Sequence, residues 1–396
     1  MTETDQNWFV QVYGTLGQLL PLQDAQTACQ ALFAESKTVA PLPGMVIVGD
    51  RADVIGMGGK DAAFSVAGLM DYGNTRPLIP LGIDPPEQTQ YRRLLDPLFS
   101  LKRMDAIVEQ ITERANHYID QFIDAGSVDY TEAFATPFPS SVFIDLMGLP
   151  QEDVPRILRM KDDCFHPGGG LVTDPAEIQR IQRAGAQECY DYFDVAIADR
   201  KANPREDDLV TGLLEAEVEG RRLTHEEILD ICYTLVLGGL DTVTATLTMF
   251  MAYLAQHPAK RQEIVEDPTV IPGAVEELLR WETPGPYLFR LSTDDQEISG
   301  CPVKKGDLVF GSMGAANLDP AEFPEPERVD FHRSPNRHIA FGPGHHRCIG
   351  LHLARRELQI ALREWHRRIP HYEIAPATDL TVVGPLRMIE HLTLTW

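Results

Sequence analysis

The chain has 396 residues, 43% of them hydrophobic, and a formal charge of −24. That is ample for a buried core and ordinary for a globular enzyme, while the acidic balance excludes generic nucleic-acid binding, which needs a basic footprint. Six scattered cysteines (Cys29, Cys164, Cys189, Cys232, Cys301, Cys348) without a CxxC pair argue against a disulfide framework and against zinc, and fit reduced thiols in a cytoplasm.

Length alone allows roughly two to three domains. No Gly/Ser-rich linker, low-complexity tract or repeat divides the chain, so residues 1–396 read as a single domain. Met1 to Asn7 are polar and acidic, unlike a secretory leader, and no uninterrupted run of about 18 to 20 apolar residues spans a membrane. Met45 to Val48 has strand character. Asp84-Pro-Pro-Glu opens a helix reaching Arg93, with proline in its first turn and a carboxylate at the positive end of the dipole. Helical signals then dominate to Pro258. Pro167-Gly-Gly-Gly170 interrupts them as a flexible connection suited to a lid. Thr224-His-Glu-Glu227 is a capping box before a long buried helix, Ile228 to Gln256. Ala259 to Trp281 holds two helices split at Asp267-Pro268. Leu288 to Val309 is strand-like, with a hairpin around Gly300 to Gly306; residues 349–368 form a helix ended by Pro370; Leu380 to Trp396 alternates again. The expected fold is mainly α, with a minor sheet from the early and late parts of the chain.

Phe341-Gly-Pro-Gly-His-His-Arg-Cys-Ile-Gly350 carries the most information. Glycines let a backbone approach a flat cofactor and turn sharply. The helix starting at Leu351 stabilises negative charge on a nearby sulfur. A buried structural Cys is the bland reading. Zinc at His345, His346 and Cys348 makes poor tetrahedral geometry. Haem ligation by the thiolate is the third reading, and the five positions Phe341, Gly342, Gly344, Cys348 and Gly350 match by chance on the order of once in ten thousand such sequences. The loop resembles the haem-binding signature of the cytochrome P450 family, whose sixth fixed position is His or Arg, here His346. The resemblance covers nearly the whole chain and implies a triangular, mainly helical haem-binding fold with haem b.

Gly238-Gly-Leu-Asp-Thr242 sits mid-helix, where each Gly costs about 1 kcal/mol against Ala and Thr can back-bond one turn earlier. Alone it reads as a kink with Asp241 in a buried salt bridge. Beside the Cys loop it resembles the family's oxygen-activation motif, which implies that Thr242 holds the oxygen intermediate and a water, that Asp241 relays protons, and that Gly238 opens a groove. Glu277 and Arg280 share a helix face; with Arg328 they resemble the family's Glu–Arg–Arg network, Val329 standing where Phe is usual. By the same resemblance Arg92, Arg290 and His346 bind the propionates, which as buried anions need donors. Gln88, where the family often has His, keeps that contact without the charge.

Pocket walls follow by resemblance: Leu78, Ile79, Leu237, Gly238, Tyr287, Leu288 and, in the late turn near Pro385, Leu386. The set is apolar with one phenol, which favours a terpenoid, steroid, fatty acid or aromatic substrate; likeness to camphor-hydroxylating members tilts it toward a terpenoid. The resemblance implies a cytoplasmic monomer taking electrons from a ferredoxin and its NAD(P)H-dependent reductase. Arg92, Arg93, Lys102, Arg103, His345, Arg347, Arg355 and Arg356 form the expected docking face. An H₂O₂-dependent peroxygenase, whose known relatives lack the Asp241–Thr242 pair, and a non-catalytic haem sensor or carrier are the alternatives.

Overall fold

The computed structural model describes residues 12, 14–59, 63–205, 208–218, 220–384 and 386–396. Near the start stand α1 (Ala25–Leu32), the hairpin β1 (Thr38–Leu42) and β2 (Met45–Val48), α2 (Arg51–Gly59) and β3 (Phe64–Ser65). A helical body follows: α3 (Glu87–Leu95), α4 (Leu101–Ala106), α5 (Val108–Asp120), α6 (Pro137–Met147), α7 (Val154–Phe165), α8 (Pro175–Ala202), α9 (Leu209–Glu215), α10 (His225–Gly239), α11 (Asp241–Gln256), α12 (Pro258–Glu266) and α13 (Ile271–Glu282). Short strands β4 (Ser127–Asp129), β5 (Glu217–Val218) and β6 (Arg221–Arg222) lie between these helices. The late part holds β7 (Tyr287–Ser292), the hairpin β8 (Gln296–Ile298) and β9 (Cys301–Val303), β10 (Leu308–Ser312), α14 (Met313–Ala316) and α15 (Leu351–Arg368). It ends in β11 (Glu373–Ile374), β12 (Val382–Val383), β13 (Met388–Ile389) and β14 (Thr393–Thr395).

The main sheet runs β1-β2-β10-β7-β3. Its centre is the parallel pair β2 and β10, with Met45 opposite Leu308 and Val48 opposite Gly311, so early and late parts of the chain build one sheet. All four residues of β2 are buried. That suits a short apolar strand covered on both faces. The largest buried cluster draws on residues from Leu78 to Leu394 and packs the helices together.

Several boundaries follow local chemistry. Thr224 caps α10, its hydroxyl accepting from the Glu227 amide at 3.2 Å while the Glu227 carboxylate accepts from the Thr224 amide at 2.6 Å. A short turn, Pro268–Val270, separates α12 from α13, and α15 stops at Arg368, two residues before Pro370.

Two expectations need correction. The helix after Asp84 begins at Glu87, with Pro85 and Pro86 outside it; residues preceding proline are pushed out of the α region. The Asp84 carboxylate instead accepts from the Val66 amide at 2.9 Å and from the Ser65 hydroxyl. The long 228–256 helix is two helices, broken at Leu240 (φ −101°, ψ −60°). Adjacent glycines weaken the helix there, and the Thr242 and Thr244 hydroxyls draw on the Gly238 and Leu240 carbonyls. Among the described residues only the run His225–Gln256 is long and apolar enough to cross a membrane, and most of it is buried inside the molecule.

Candidate active site

The Cys loop is closed by its own backbone. The Cys348 amide donates to the Phe341 carbonyl at 2.8 Å and the Arg347 amide to Gly344 at 3.1 Å. Gly342 and Gly344 hold φ of +73° and +72°, a region that L side chains rarely adopt. Gly350 caps α15, setting Cys348 just before a helix N-terminus. Of the six cysteines, four are buried, Cys301 is half-buried, and Cys348 alone among the described cysteines is exposed. Burial nonetheless pushes its thiol up, with the Gly350 amide and the Arg92, Arg355 and Arg347 charges pulling the other way. Cys348 is thus exposed as a residue while its thiol is desolvated, which does not suit a buried structural cysteine.

A histidine and two arginines converge beside it. Burial, then the nearby Arg290 charge, push His346 down to about 4, with Asp84 opposing and Arg92 and His345 adding to the fall. Arg290 is buried on β7, opposite Val309. Arg92 donates to the Arg347 carbonyl at 2.5 Å and to Asp96 at 2.8 Å, whereas Arg93 is exposed. Gln88 lies on α3 beside the Cys loop. Its buried amide donates to the His345 carbonyl at 2.8 Å, tying α3 to the Cys loop.

On the distal side the burial pattern is informative. From Ile228 to Ala252 every described residue is buried except Gly238, Gly239 and Thr242. Gly238 and Thr242 are a turn apart on one face, so a buried helix opens at one spot, and the Thr242 hydroxyl donates to the Gly238 carbonyl there at 3.1 Å. Asp241 turns the other way. It is buried, 2.5 Å from Lys161 Nζ and 3.6 Å from His166 Nε2. Burial raises its carboxyl, but His166 and Lys161 outweigh that and hold it below the usual range. Lys161 also meets the half-exposed Asp162 at 2.5 Å, so charged groups lead from Asp241 to the surface. Sequence reading missed Lys161 and His166. The available signal was a lysine among the apolar positions Ile157, Met160 and Cys164 on the buried face of α7. Pro167–Gly170 forms a short turn directly after His166, with positive φ at Gly168 and Gly169.

Of the proposed pocket residues, Leu78, Ile79 and Leu237 are buried in the main cluster. Leu288 shares the buried face of β7 with Arg290. Tyr287 does not belong with them: it lies on the opposite face, in the cluster with Leu20 and Phe310, and its hydroxyl donates to the Leu20 carbonyl at 3.0 Å. Alternation along a strand sends neighbours to opposite sides. Leu386 is half-buried near Gly285; Pro385 lies outside the described residues.

The ion network behind the Cys loop also differs from expectation. Glu277 and Arg280, both fully buried, form a fork at 2.9 and 2.8 Å. The third member is Arg333, whose Nε lies 3.1 Å from both Glu277 oxygens. The Arg328 side chain is 62% exposed and reaches Glu325 and Asp330; only its carbonyl joins, accepting from Arg333 at 2.8 Å. Arg280 donates to the Asn317 carbonyl at 3.0 Å, and the Asn317 side chain accepts from the Ile339 amide at 2.8 Å, leading into the Cys loop. Beside it Glu276 forks to Arg355 at 2.7 Å and meets His338 at 3.0 Å, while Arg355 lies 4.6 Å over the Phe341 ring.

The residues present fit a haem. An exposed cysteine stands at a helix N-terminus, a loop opens at its glycines, a histidine and two arginines suited to carboxylates cluster at one side, and a buried helix exposes a glycine and a hydroxyl. The sequence model of the cytochrome P450 family matches residues 79–368. The chain is 37% identical over 326 residues to a probable cytochrome P450 127A1 of Sinorhizobium fredii, covering 82% of this chain and 76% of the relative. It is 34% identical over 304 residues to the mycinamicin IV hydroxylase/epoxidase of Micromonospora griseorubida, covering 76% and 75% of the two chains. The crystal structure of a myxobacterial cytochrome P450, CYP267B1, in complex with myristic acid superposes with a TM-score of 0.86 at 30% identity, covering 96% and 98% of the two chains. The chain therefore belongs to the cytochrome P450 family of monooxygenases, and its cofactor is haem iron.

Proposed function

We propose that this protein inserts one oxygen atom from O₂ into a lipophilic small molecule, with electrons from an external ferredoxin and its NAD(P)H-dependent reductase. The observation that carries the reading is the pairing of one exposed cysteine, Cys348, with one opening, at Gly238 and Thr242, in an otherwise buried helix. Cys348 would hold the haem through its thiolate, and the haem would supply O₂ activation. Arg92, Arg290 and His346 would hold the propionates. Gly238 leaves room for substrate beside the Thr242 hydroxyl, which holds a proton donor in place. Asp241, kept ionised by Lys161 and His166, passes protons inward from the surface. Glu277, Arg280 and Arg333 fix the segment that leads to Cys348.

Leu78, Ile79, Leu237, Leu288 and Leu386 form apolar walls. With Tyr287 turned away, that set loses its phenol, so selection rests on shape and apolar area. A terpenoid, steroid, fatty acid or aromatic compound suits such walls. The electron donor docks on the Cys side, where Arg93, Lys102, His345 and Arg347 are exposed. Arg355 and Arg356 are engaged with Glu276 and Asp105 and contribute less. Unpaired cysteines suit a reducing cytoplasm. The Asp241–Thr242 pair disfavours an H₂O₂-dependent peroxygenase.

The test is a panel of lipophilic ligands scored for a low- to high-spin shift, followed by turnover with a ferredoxin, its reductase and NAD(P)H. Coupled product from a shift-inducing ligand supports the reading. Product formed only with added H₂O₂ contradicts it, and haem binding with no product under either condition points to a sensor or carrier.

A further inference from the structure

The helix α2 reads Arg-Ala-Asp-Val-Ile-Gly-Met-Gly-Gly, and each glycine costs a helix about 1 kcal/mol against alanine. Contacts explain one of them. A Cβ on Gly58 would stand 2.5 Å from the Pro343 carbonyl oxygen, and a Cβ on Gly344 would stand 1.8 Å from the Gly58 carbonyl oxygen. Two bare backbones touch here, four residues before Cys348. Gly59 is different: a Cβ there meets nothing within 4 Å among the described residues.

The other end of α2 is anchored. The Asp50 carboxylate caps it, accepting from the Ala52 and Asp53 amides at 3.0 and 3.1 Å. Buried Arg51 donates to the Ala316 carbonyl at 3.3 Å and to the Arg337 carbonyl. Its guanidinium lies 5.2 Å from the centre of the Phe323 ring, and that of Arg280 lies 5.3 Å from the same ring. One aromatic ring thus links α2 to the Glu277 network.

We propose that Gly58 is a positioning residue for the haem thiolate. In this reading α2 is a strut, braced at Arg51 and bearing on Pro343 and Gly344, and the contact sets how far the Cys348 sulfur reaches toward the iron. The inference rests on Cys348 being the axial ligand.

The test compares holoenzymes carrying Gly58→Ala and Gly59→Ala with the unsubstituted protein, reading the ferrous carbonyl Soret band, the haem reduction potential and thermal unfolding. Gly59→Ala is expected to match the parent in band and potential, with equal or higher stability. Gly58→Ala is expected to gain a blue-shifted carbonyl band from a weakened thiolate bond, and a changed potential. If both variants give the parent's band and potential, the proposal is overturned. Should Gly58→Ala fail to fold, Arg51→Lys loosens the strut from its other end, and an unchanged band and potential there overturn it equally. An error in the ligand assignment shows itself separately, because the parent protein then lacks the thiolate carbonyl band at the outset.

Discussion

Thr242 and Asp241 are neighbours with opposite surroundings, one exposed and one sealed in an ion network. Sequence alone offered the salt bridge and the relay as competing readings of Asp241; the geometry holds the salt bridge and leaves a charged route to the surface beside it. Thr242→Ala is expected to keep ligand binding and the carbonyl band while lowering product per NAD(P)H consumed, with product formation falling about 10²-fold. Unchanged coupling contradicts the assigned role. Arg333 and Arg328 give a second contrast. Both follow Glu277 in the same irregular segment, and spacing cannot say which side chain turns inward. Arg333→Ala leaves Glu277 short of a buried partner and is expected to cost about 3 kcal/mol, whereas Arg328→Ala stays within about 0.5 kcal/mol. Urea or thermal unfolding of the two holoenzymes checks this.

At the scale of elements, local chemistry was legible where it is contiguous. The capping box at Thr224, the split at Asp267-Pro268 and the strand Met45–Val48 all stand where residue patterns put them. The Cys loop was legible for the same reason, since its glycines and its sulfur lie within ten residues. What escaped depends on contacts distant in sequence: Lys161 and His166 reaching Asp241 from α7, and Tyr287 turning to Leu20. The bond between α13 and α15 is a further example. Burial raises Glu276, but Arg355 and His338 outweigh it and hold the carboxyl at about 2, against an ordinary value of 4.5. A depressed folded-state value stabilises the protein above about pH 4.5, and that contribution is lost as pH falls toward 2. Glu276→Gln is therefore expected to lose roughly 2 kcal/mol at pH 7, under about half of that at pH 3, and little by about pH 2. An equal loss at all three pH values contradicts the pairing.

For the whole molecule, a charge of −24 coexists with exposed cations near the Cys loop. Opposed fields of this kind orient an acidic partner and make its approach salt-dependent. Arg93→Glu, Lys102→Glu and Arg347→Glu together are expected to slow ferredoxin-supported turnover and flatten its salt dependence, leaving dithionite-reduced spectra unchanged. Undiminished electron transfer in the triple variant removes the docking face. Every one of these roles depends on the sulfur at Cys348 reaching iron. The most direct measurement is the ferrous carbonyl difference spectrum of the haem-loaded protein beside Cys348→Ser. The account predicts the red-shifted Soret band of thiolate-ligated haem in the parent and its loss in the variant; a parent without that band, or a variant that keeps it, contradicts the account.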